Sequence, residues 1–381
     1  MTVETAPKVL VLGALGFVGR NFVQYLVENN LASSIRAVDK ALPQTAYLTK
    51  PARTAFSHST VEFMQANLIN PVSIEKCFTR QDDTEFDYVF NFAAETKYSQ
   101  VPEVYQERIY KLSVNCAKEA AKRKVKVFLE SSTSEIYDSS KNFQEPAKET
   151  SPLKPWTQIA QQKTEACDAL KKIEGLNLII VRPAVIYGVG APSGITTRLV
   201  IGKVYKRLNE EMKLLWNKDL KLNTVHIHDV VRACWHLAKW YDESGHAAGK
   251  NQCPVFNLAD KQDTDQETIN QHLESIYGIK TGYHGTMIST FAKLNLGTVT
   301  EDVNEKHLGP WADLLKESGI SVSPLSPYVD KELLHSNPVY VDGTLIERET
   351  GFTYEVPYMT KEKLIEIIDG YKELNLWPSA D

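Results

Sequence analysis

The chain is expected to be an α/β protein: a doubly wound parallel sheet with a smaller C-terminal substrate lobe. Three observations predict this. Short apolar runs alternate with amphipathic segments over the first two thirds of the chain. The runs are apolar throughout, as strands covered on both faces must be. The first run ends in a glycine-rich turn that opens a helix, the arrangement of the first βα unit in such sheets.

The strands are read at "KVLVLG" (8–13), "IRAVD" (35–39), "VEFMQA" (61–66), "YVFNFAA" (88–94), "KVFLESS" (126–132) and "LNLIIVRP" (176–183). Helical periodicity is clearest over 17–30, 107–124 and 158–173. After Pro183 the pattern changes. The stretch "YGVGAPSG" (187–194) is a Gly/Pro loop. "NTVHIHDV" (223–230) returns to a strand and opens a helix over 229–242, whose Trp and Cys read as core. From about 259 onward, helix, turns and prolines mix, as expected of a lobe over the open edge of the sheet. The expected division is a main domain of 1–185 and 223–258, and a lobe of 186–222 and 259–381. In the lobe, "GPWADLL", "YVD" and "GFTYEVPYM" fit its core or an apolar pocket. Several breakers in 305–330 suggest a mobile cover.

Composition bounds the function. The chain has 381 residues, 43% of them hydrophobic, enough for a large core. A net charge of −5, with both signs interspersed, argues against nucleic acid as a partner. The five cysteines are dispersed without a CxxC pair and read as reduced thiols of an intracellular protein. The start "MTVETAPKVLVLG" lacks the pattern of a secretory signal. No apolar stretch approaches the roughly 20 residues of a membrane span. A cytoplasmic protein with a small-molecule substrate is expected.

Gly13, Gly16 and Gly19 in "GALGFVGR" have the spacing of a phosphate loop, with Leu15, Phe17 and Val18 between them. The first glycine permits the turn, the second lets backbone approach a pyrophosphate, and the third lets helix and strand pack closely. The helix amino end offers unpaired N–H groups to the phosphates. Asp39 follows Gly19 by 20 residues and ends the next strand, in place to bind an adenosine ribose. Its charge would repel a 2′-phosphate, so NAD is favoured over NADP. Lys40 beside it carries the opposite charge. The competing readings are a plain tight turn and a capping carboxylate.

Further segments follow in a fixed order: "ANL" (66–68), "NFAAET" (91–96), "SVNC" (113–116), "SSTSEIY" (131–137), "RPAVIYG" (182–188) and "VHIHDV" (225–230). Together with the glycine loop, they resemble the extended short-chain dehydrogenase/reductase family, which contains nucleotide-sugar epimerases and dehydratases. The resemblance spans most of 7–260. It implies a Rossmann fold, NAD as cofactor, and a hydroxylated or carbonyl substrate, such as a sugar nucleotide or another alcohol or ketone. It places Asn67 and Leu68 near the adenine, with Asn67 where the family has an acid. It places Phe92, Ala93, Ala94 and Pro183 along the cofactor, and has Asn115 steady the sheet. A homodimer formed through two helices is compatible with it.

In that family a tyrosine and a lysine, three residues between them, share one helix face. The lysine binds the nicotinamide ribose and lowers the tyrosine pKa, so that the phenol can exchange a proton near neutral pH. By resemblance Lys163 is that lysine and Thr133 the hydroxyl partner. The tyrosine position is Ile159, and no tyrosine lies between Tyr137 and Tyr187. Three readings follow. Another group supplies the proton, from among Tyr98, Glu95, Lys97 and Glu135. Or the protein is a catalytically inactive NAD binder, a sensor or scaffold. Or the chemistry needs no strong acid. A loop tyrosine, a capping carboxylate, a strand-end hydroxyl and a solvated helix lysine are the competing readings of Tyr98, Glu135, Thr133 and Lys163. His226 and His228 read as two side chains on one strand face, with no further ligands and no metal expected.

Overall fold

The computed structural model describes residues 6–139, 145–244, 253–334 and 336–380. The strands are β1 (Lys8–Leu12), β2 (Ser34–Asp39), β3 (Val61–Gln65), β4 (Tyr88–Asn91), β5 (Val127–Ser131), β6 (Leu178–Pro183), β7 (Val185–Tyr187), β8 (Met212–Leu214), β9 (Thr224–His226), β10 (Val255–Leu258) and β11 (Thr281–Tyr283). The helices that position the site are α1 (Phe17–Glu28), α2 (Lys50–Phe56), α3 (Pro71–Phe78), α4 (Pro102–Tyr105), α5 (Leu112–Lys122), α6 (Gln158–Leu170), α7 (Ile195–Leu208) and α8 (Ile227–Glu243).

Seven strands form one sheet in the order β10-β6-β5-β4-β1-β2-β3. Every pair in it is parallel. This is the doubly wound sheet that alternating strands and helices predict, because parallel neighbours need a crossover and the crossovers cover both faces. The order reverses between β1 and β4, which opens a crevice at their carboxyl ends. One apolar cluster, with Phe22, Phe90, Trp235 and Leu237, fills the face under α1 and α8. Another, with Ile74, Cys116, Phe128 and Leu170, fills the face under α3, α5 and α6. The edge strand β3 departs from the all-apolar reading: its Glu62 is exposed and pairs with the buried Arg36 of β2 at 2.9 Å. An edge strand needs cover on fewer sides, so it tolerates a charge.

Beyond β6 the chain builds the lobe from α7, α9 (Gln266–Tyr277), α10 (Thr286–Leu294), α11 (Leu296–Glu317) and, after α12 (Leu345–Thr350), which packs its Ile346 into the main-domain cluster, α13 (Lys361–Glu373). Its core joins Tyr187, Leu199, Trp311, Leu364 and Trp377. Two parallel ribbons, β7–β9 and β8–β11, flank it. Trp311 and Met359 are buried in that core and Phe352 and Tyr354 in the main-domain cluster, so these four side chains serve packing, while Tyr328 and Tyr358 are exposed.

Three local expectations are corrected. The helix read over 107–124 divides into a π-helical turn, Gln106–Lys111, and α5. The stretch 305–330 is not wholly irregular: α11 runs to Glu317 with Gly309 and Pro310 inside it. A proline in a helix interior is tolerated where tertiary packing holds the flanking turns, and Trp311 and Leu314 supply that packing here. His226 and His228 do not share a strand face, because β9 ends at His226 and α8 begins at Ile227. His226 Nδ1 accepts the His228 N–H, and His228 Nε2 meets Glu355 at 2.7 Å.

Candidate functional site

The crevice between β1 and β4 is lined first by the glycine loop. Gly13 has φ +75°, and a Cβ on it would lie 2.6 Å from the Ala93 nitrogen. A Cβ on Gly19 would lie 2.2 Å from the Gly13 oxygen. Gly13 and Ala14 amides both donate to Val38 O at 2.9 Å, which pins the loop to the end of β2. At the start of α1 the N-cap residue is Gly16, with no side-chain cap and no acid in the first turn. Those amide groups are thus left for an anion.

Asp39 stands at the end of β2. Its Oδ2 accepts the Leu15 N–H at 3.0 Å and its Oδ1 accepts the Ala41 N–H at 3.0 Å. The carboxylate therefore ties the glycine loop to the following turn. Phe17 and Val18 are half-buried at the start of α1, and Leu15 is buried. Lys40 and Asn67 are exposed and Leu68 is buried. Asn67 Oδ1 accepts the Ile69 N–H at 3.2 Å. Phe92, Ala93 and Ala94 leave β4 half-buried, beside the loop. Pro183 ends β6, and its carbonyl accepts the Ser134 hydroxyl at 2.9 Å. The cradle, the uncapped helix end and the carboxylate fit a dinucleotide.

A second cluster follows β4 and β5. Tyr98 donates its hydroxyl to Glu135 Oε1 at 3.2 Å. Thr157, the N-cap of α6, donates to Glu135 Oε2 at 2.9 Å and accepts the Ala160 N–H at 3.1 Å. Glu135 thus has each oxygen engaged by a different segment. Burial pushes its carboxyl above the usual range, against the two hydrogen bonds. Burial also pushes the Tyr98 phenol up strongly, and the Glu135 charge adds to that. Thr133 accepts the Glu135 N–H at 3.3 Å and caps the short turn Ser134–Ile136.

Lys163 donates to the Ser131 carbonyl. Burial lowers its pKa, opposed by the charges of Glu130 and Glu135. Glu130 is 3% exposed and takes hydrogen bonds from Asn91 Nδ2 at 2.7 Å and Ser113 Oγ at 3.0 Å. Ile159 is buried in a small cluster with Tyr105 and Ile109, against which Ala94 and Tyr98 pack. The π-helical turn supplies Ile109 to this contact.

Of the candidates read from the sequence, the structure brings Tyr98, Glu135 and Lys163 to one edge and takes Glu95 away. Glu95 is 7% exposed and its Oε2 binds Arg108 Nη1 at 2.8 Å. Burial opposes its charge, but hydrogen bonds from Arg108 and from the Lys97 and Thr96 amides outweigh that and hold the carboxyl below its usual range. Lys97 is exposed. The Asn115 side chain makes no hydrogen bond among the described residues, while Asn91 and Ser113 bond each other and the buried Glu130. Glu130, Thr157 and Glu332 were missed. A carboxylate inside the apolar run "KVFLESS" and a threonine before the periodic run "QIAQQK" were the signals for the first two. Among the described residues no group of three or more His, Cys, Asp or Glu side chains could hold a metal ion.

Comparison with known proteins places the chain in a family. The family model described as the NAD dependent epimerase/dehydratase family covers residues 9–259, more than half of the chain, so the protein belongs to that family. The cofactor named for the family is NAD. Among solved structures, the fold is similar to WbmG of Bordetella bronchiseptica in complex with NAD and UDP, at TM-score 0.66 and 14% identity over 98% of this chain and 97% of that one. It is similar to DesIV, a dTDP-glucose 4,6-dehydratase from Streptomyces venezuelae with NAD and TYD bound, at 0.66 and 16% over 96% and 97%. It is similar to a UDP-N-acetylglucosamine 4-epimerase from Methanobrevibacter ruminantium, at 0.66 and 16% over 97% and 99%. These identities establish a shared fold. A sequence search of curated proteins finds no significant match. No helix among the described residues is long and apolar enough to cross a membrane.

Proposed function

We propose that this protein is an NAD-dependent enzyme of the epimerase/dehydratase type acting on a hydroxyl or carbonyl of a sugar nucleotide, with Glu135 as its acid–base group. The observation that carries this is the hydrogen-bonded Tyr98–Glu135–Thr157 cluster, whose Tyr98 packs against the apolar cluster holding Ile159. The phenol expected on the α6 face is absent there, and another one arrives beside it from the loop after β4. A carboxyl raised by burial sits closer to neutral pH, where a group can both take and return a proton. The sugar-nucleotide class is supported by the family and by the ligands of proteins sharing the fold.

In this reading the glycine loop and Asp39 hold the dinucleotide, and Lys163 binds its nicotinamide ribose. When bound, NAD supplies a hydride acceptor. Glu135 takes the hydroxyl proton as the substrate carbon is oxidised, and gives it back when a carbonyl is reduced. Tyr98 and Thr157 keep its two oxygens oriented, and Thr133 holds the reacting oxygen. Residues 186–222 and 259–381 form the substrate side.

One observation favours a second reading, an NAD binder without turnover. Tyr98 is pushed up rather than down, unlike a phenol tuned by a neighbouring cation. Calorimetry with NAD, followed by incubation with UDP- and dTDP-sugars and product analysis, separates the two. The enzyme reading expects NAD binding and an oxidised, epimerised or dehydrated sugar. NAD binding with no sugar nucleotide either bound or altered supports the sensor or scaffold.

A further inference from the structure

The C-terminal lobe reaches the cluster just described through two carboxylates, Glu332 and Asp330, of which only Glu332 bonds both segments. Glu332 lies in a short turn, Lys331–Leu334, and touches the main domain at two places. Its Oε1 accepts the Ser99 N–H at 3.2 Å and its Oε2 accepts the Gln158 N–H at 2.8 Å. Ser99 directly follows Tyr98, and Gln158 directly follows Thr157. The two residues that grip Glu135 are thus each followed by a residue whose amide is gripped by Glu332.

The contact is reinforced on both sides. Ser99 Oγ donates to Asp330 Oδ1 at 3.0 Å, and the Glu332 amide donates to the same oxygen at 2.9 Å. Ser99 has φ +54°, a left-handed conformation that a serine holds only when its surroundings impose it. At the other end of the turn, Leu334 O accepts the Trp216 indole N–H at 2.9 Å. Trp216 has φ +70°, also left-handed, in a bulky residue. The turn therefore bridges two strained positions, one in each part of the molecule. Glu332 also meets the amino end of a 13-residue helix, where the helix dipole favours a negative charge.

We propose that Glu332 is a positioning residue that clamps the Tyr98 and Thr157 segments together and so sets the geometry of Glu135. The lobe then completes the acid–base cluster instead of only covering it. This rests on the reading of Glu135 as the proton-handling group. With the turn in place, the hydroxyls of Tyr98 and Thr157 stay aimed at Glu135. With it displaced, the turn at Ser99 relaxes and the first turn of α6 loses its carboxylate.

The test needs neither substrate nor cofactor. Hydrogen–deuterium exchange is measured on peptides covering 97–100 and 157–161 in the parent, Glu332→Gln and Glu332→Ala. Loss of the clamp should raise exchange there by about tenfold or more, while the glycine-loop peptide keeps its protection. A fluorinated tyrosine placed at position 98 is followed in parallel by fluorine NMR. The groups facing Tyr98 include Glu135, Glu332 and Asp330. Removing the Glu332 charge should let the phenol titrate at lower pH; loosened packing would relieve the burial that raises it as well, so Glu332→Gln, which keeps the side-chain volume, is the variant that reads the charge. Glu332→Asp keeps the charge but is too short to span both amides. It should raise exchange at one site only and leave the titration in place, which covers the case in which the larger changes unfold the protein. Unchanged exchange and unchanged titration in Glu332→Gln overturn the clamp. Turnover missing from the parent as well overturns the acid–base reading and leaves the clamp measurements to stand or fall alone.

Discussion

The phosphate loop and the Glu135 cluster occupy the same edge of one sheet but are assembled differently. Gly13, Gly16 and Gly19 make their turn within one strand–helix unit, and the loop meets Val38, Asp39, Phe92 and Ala93 at or just after the neighbouring strand ends. Glu135 is held by Tyr98 and Thr157, 37 and 22 residues away, and that pair is clamped in turn by Glu332, 233 residues from Ser99 and 174 from Gln158. Binding a pyrophosphate needs backbone amides in one local conformation, which a short pattern encodes. Handling a proton needs side chains from several elements at hydrogen-bond distance, which only the closed fold provides. The first region can be retained unchanged while the second is rebuilt, and position 159 suggests such a rebuilding.

The largest expected effect separates the two regions. Glu135→Gln should lower kcat by about 10²–10⁴-fold and leave NAD affinity unchanged, because general acid–base assistance is lost while the cradle is intact. Steady-state rates and calorimetry on the same preparation check it. A parallel fall in NAD affinity would mean that the two regions are not independent.

Gly19→Ala attacks the other side. The added Cβ would sit 2.2 Å from the Gly13 oxygen and 2.8 Å from Ala14 Cα, both backbone atoms that cannot swing away. We expect a loss of about 3 kcal/mol in denaturant unfolding, with NAD binding abolished. Asp39→Ala should have a milder effect, weakening NAD by about 1–3 kcal/mol in calorimetry, since its carboxylate orders Leu15 and Ala41 as well as facing the ribose site.

The smallest effect is on stability against pH. Burial raises the Glu135 carboxyl above its ordinary 4.5, so the folded chain holds a proton that the unfolded chain releases. Its contribution is fully present below 4.5 and declines as pH rises through the folded value. Glu135→Gln should remove that decline and become steadily more stable relative to the parent over that window. Equal slopes in the two proteins would place the raised proton elsewhere.

Particular residues show where sequence reading succeeded and where it stopped. The strands from Lys8 to Pro183 and the glycine loop were legible because apolar periodicity and glycine spacing are local consequences of burial and backbone sterics. The π-helical turn at Gln106–Lys111 was not, because one extra residue in a helix leaves almost the same periodicity. His228 was misplaced because a strand that turns into a helix after one residue changes which side chains share a face. Glu95 was legible as an acid near a strand end, but its pairing with Arg108 was not.

By itself the sequence determined the fold class, the glycine loop, Asp39 at the end of the second strand and an isoleucine four residues before Lys163, all of which depend on neighbours within a few dozen residues. Only the tertiary structure decided that Tyr98 packs against the cluster holding Ile159, that Glu135 is gripped from two sides, and that Glu332 reaches across from the lobe. The physical reason is range. Helix, strand and turn preferences act along the chain over a few bonds, whereas a hydrogen bond between side chains depends on distance in space, which is set only once the packed core fixes how the segments meet.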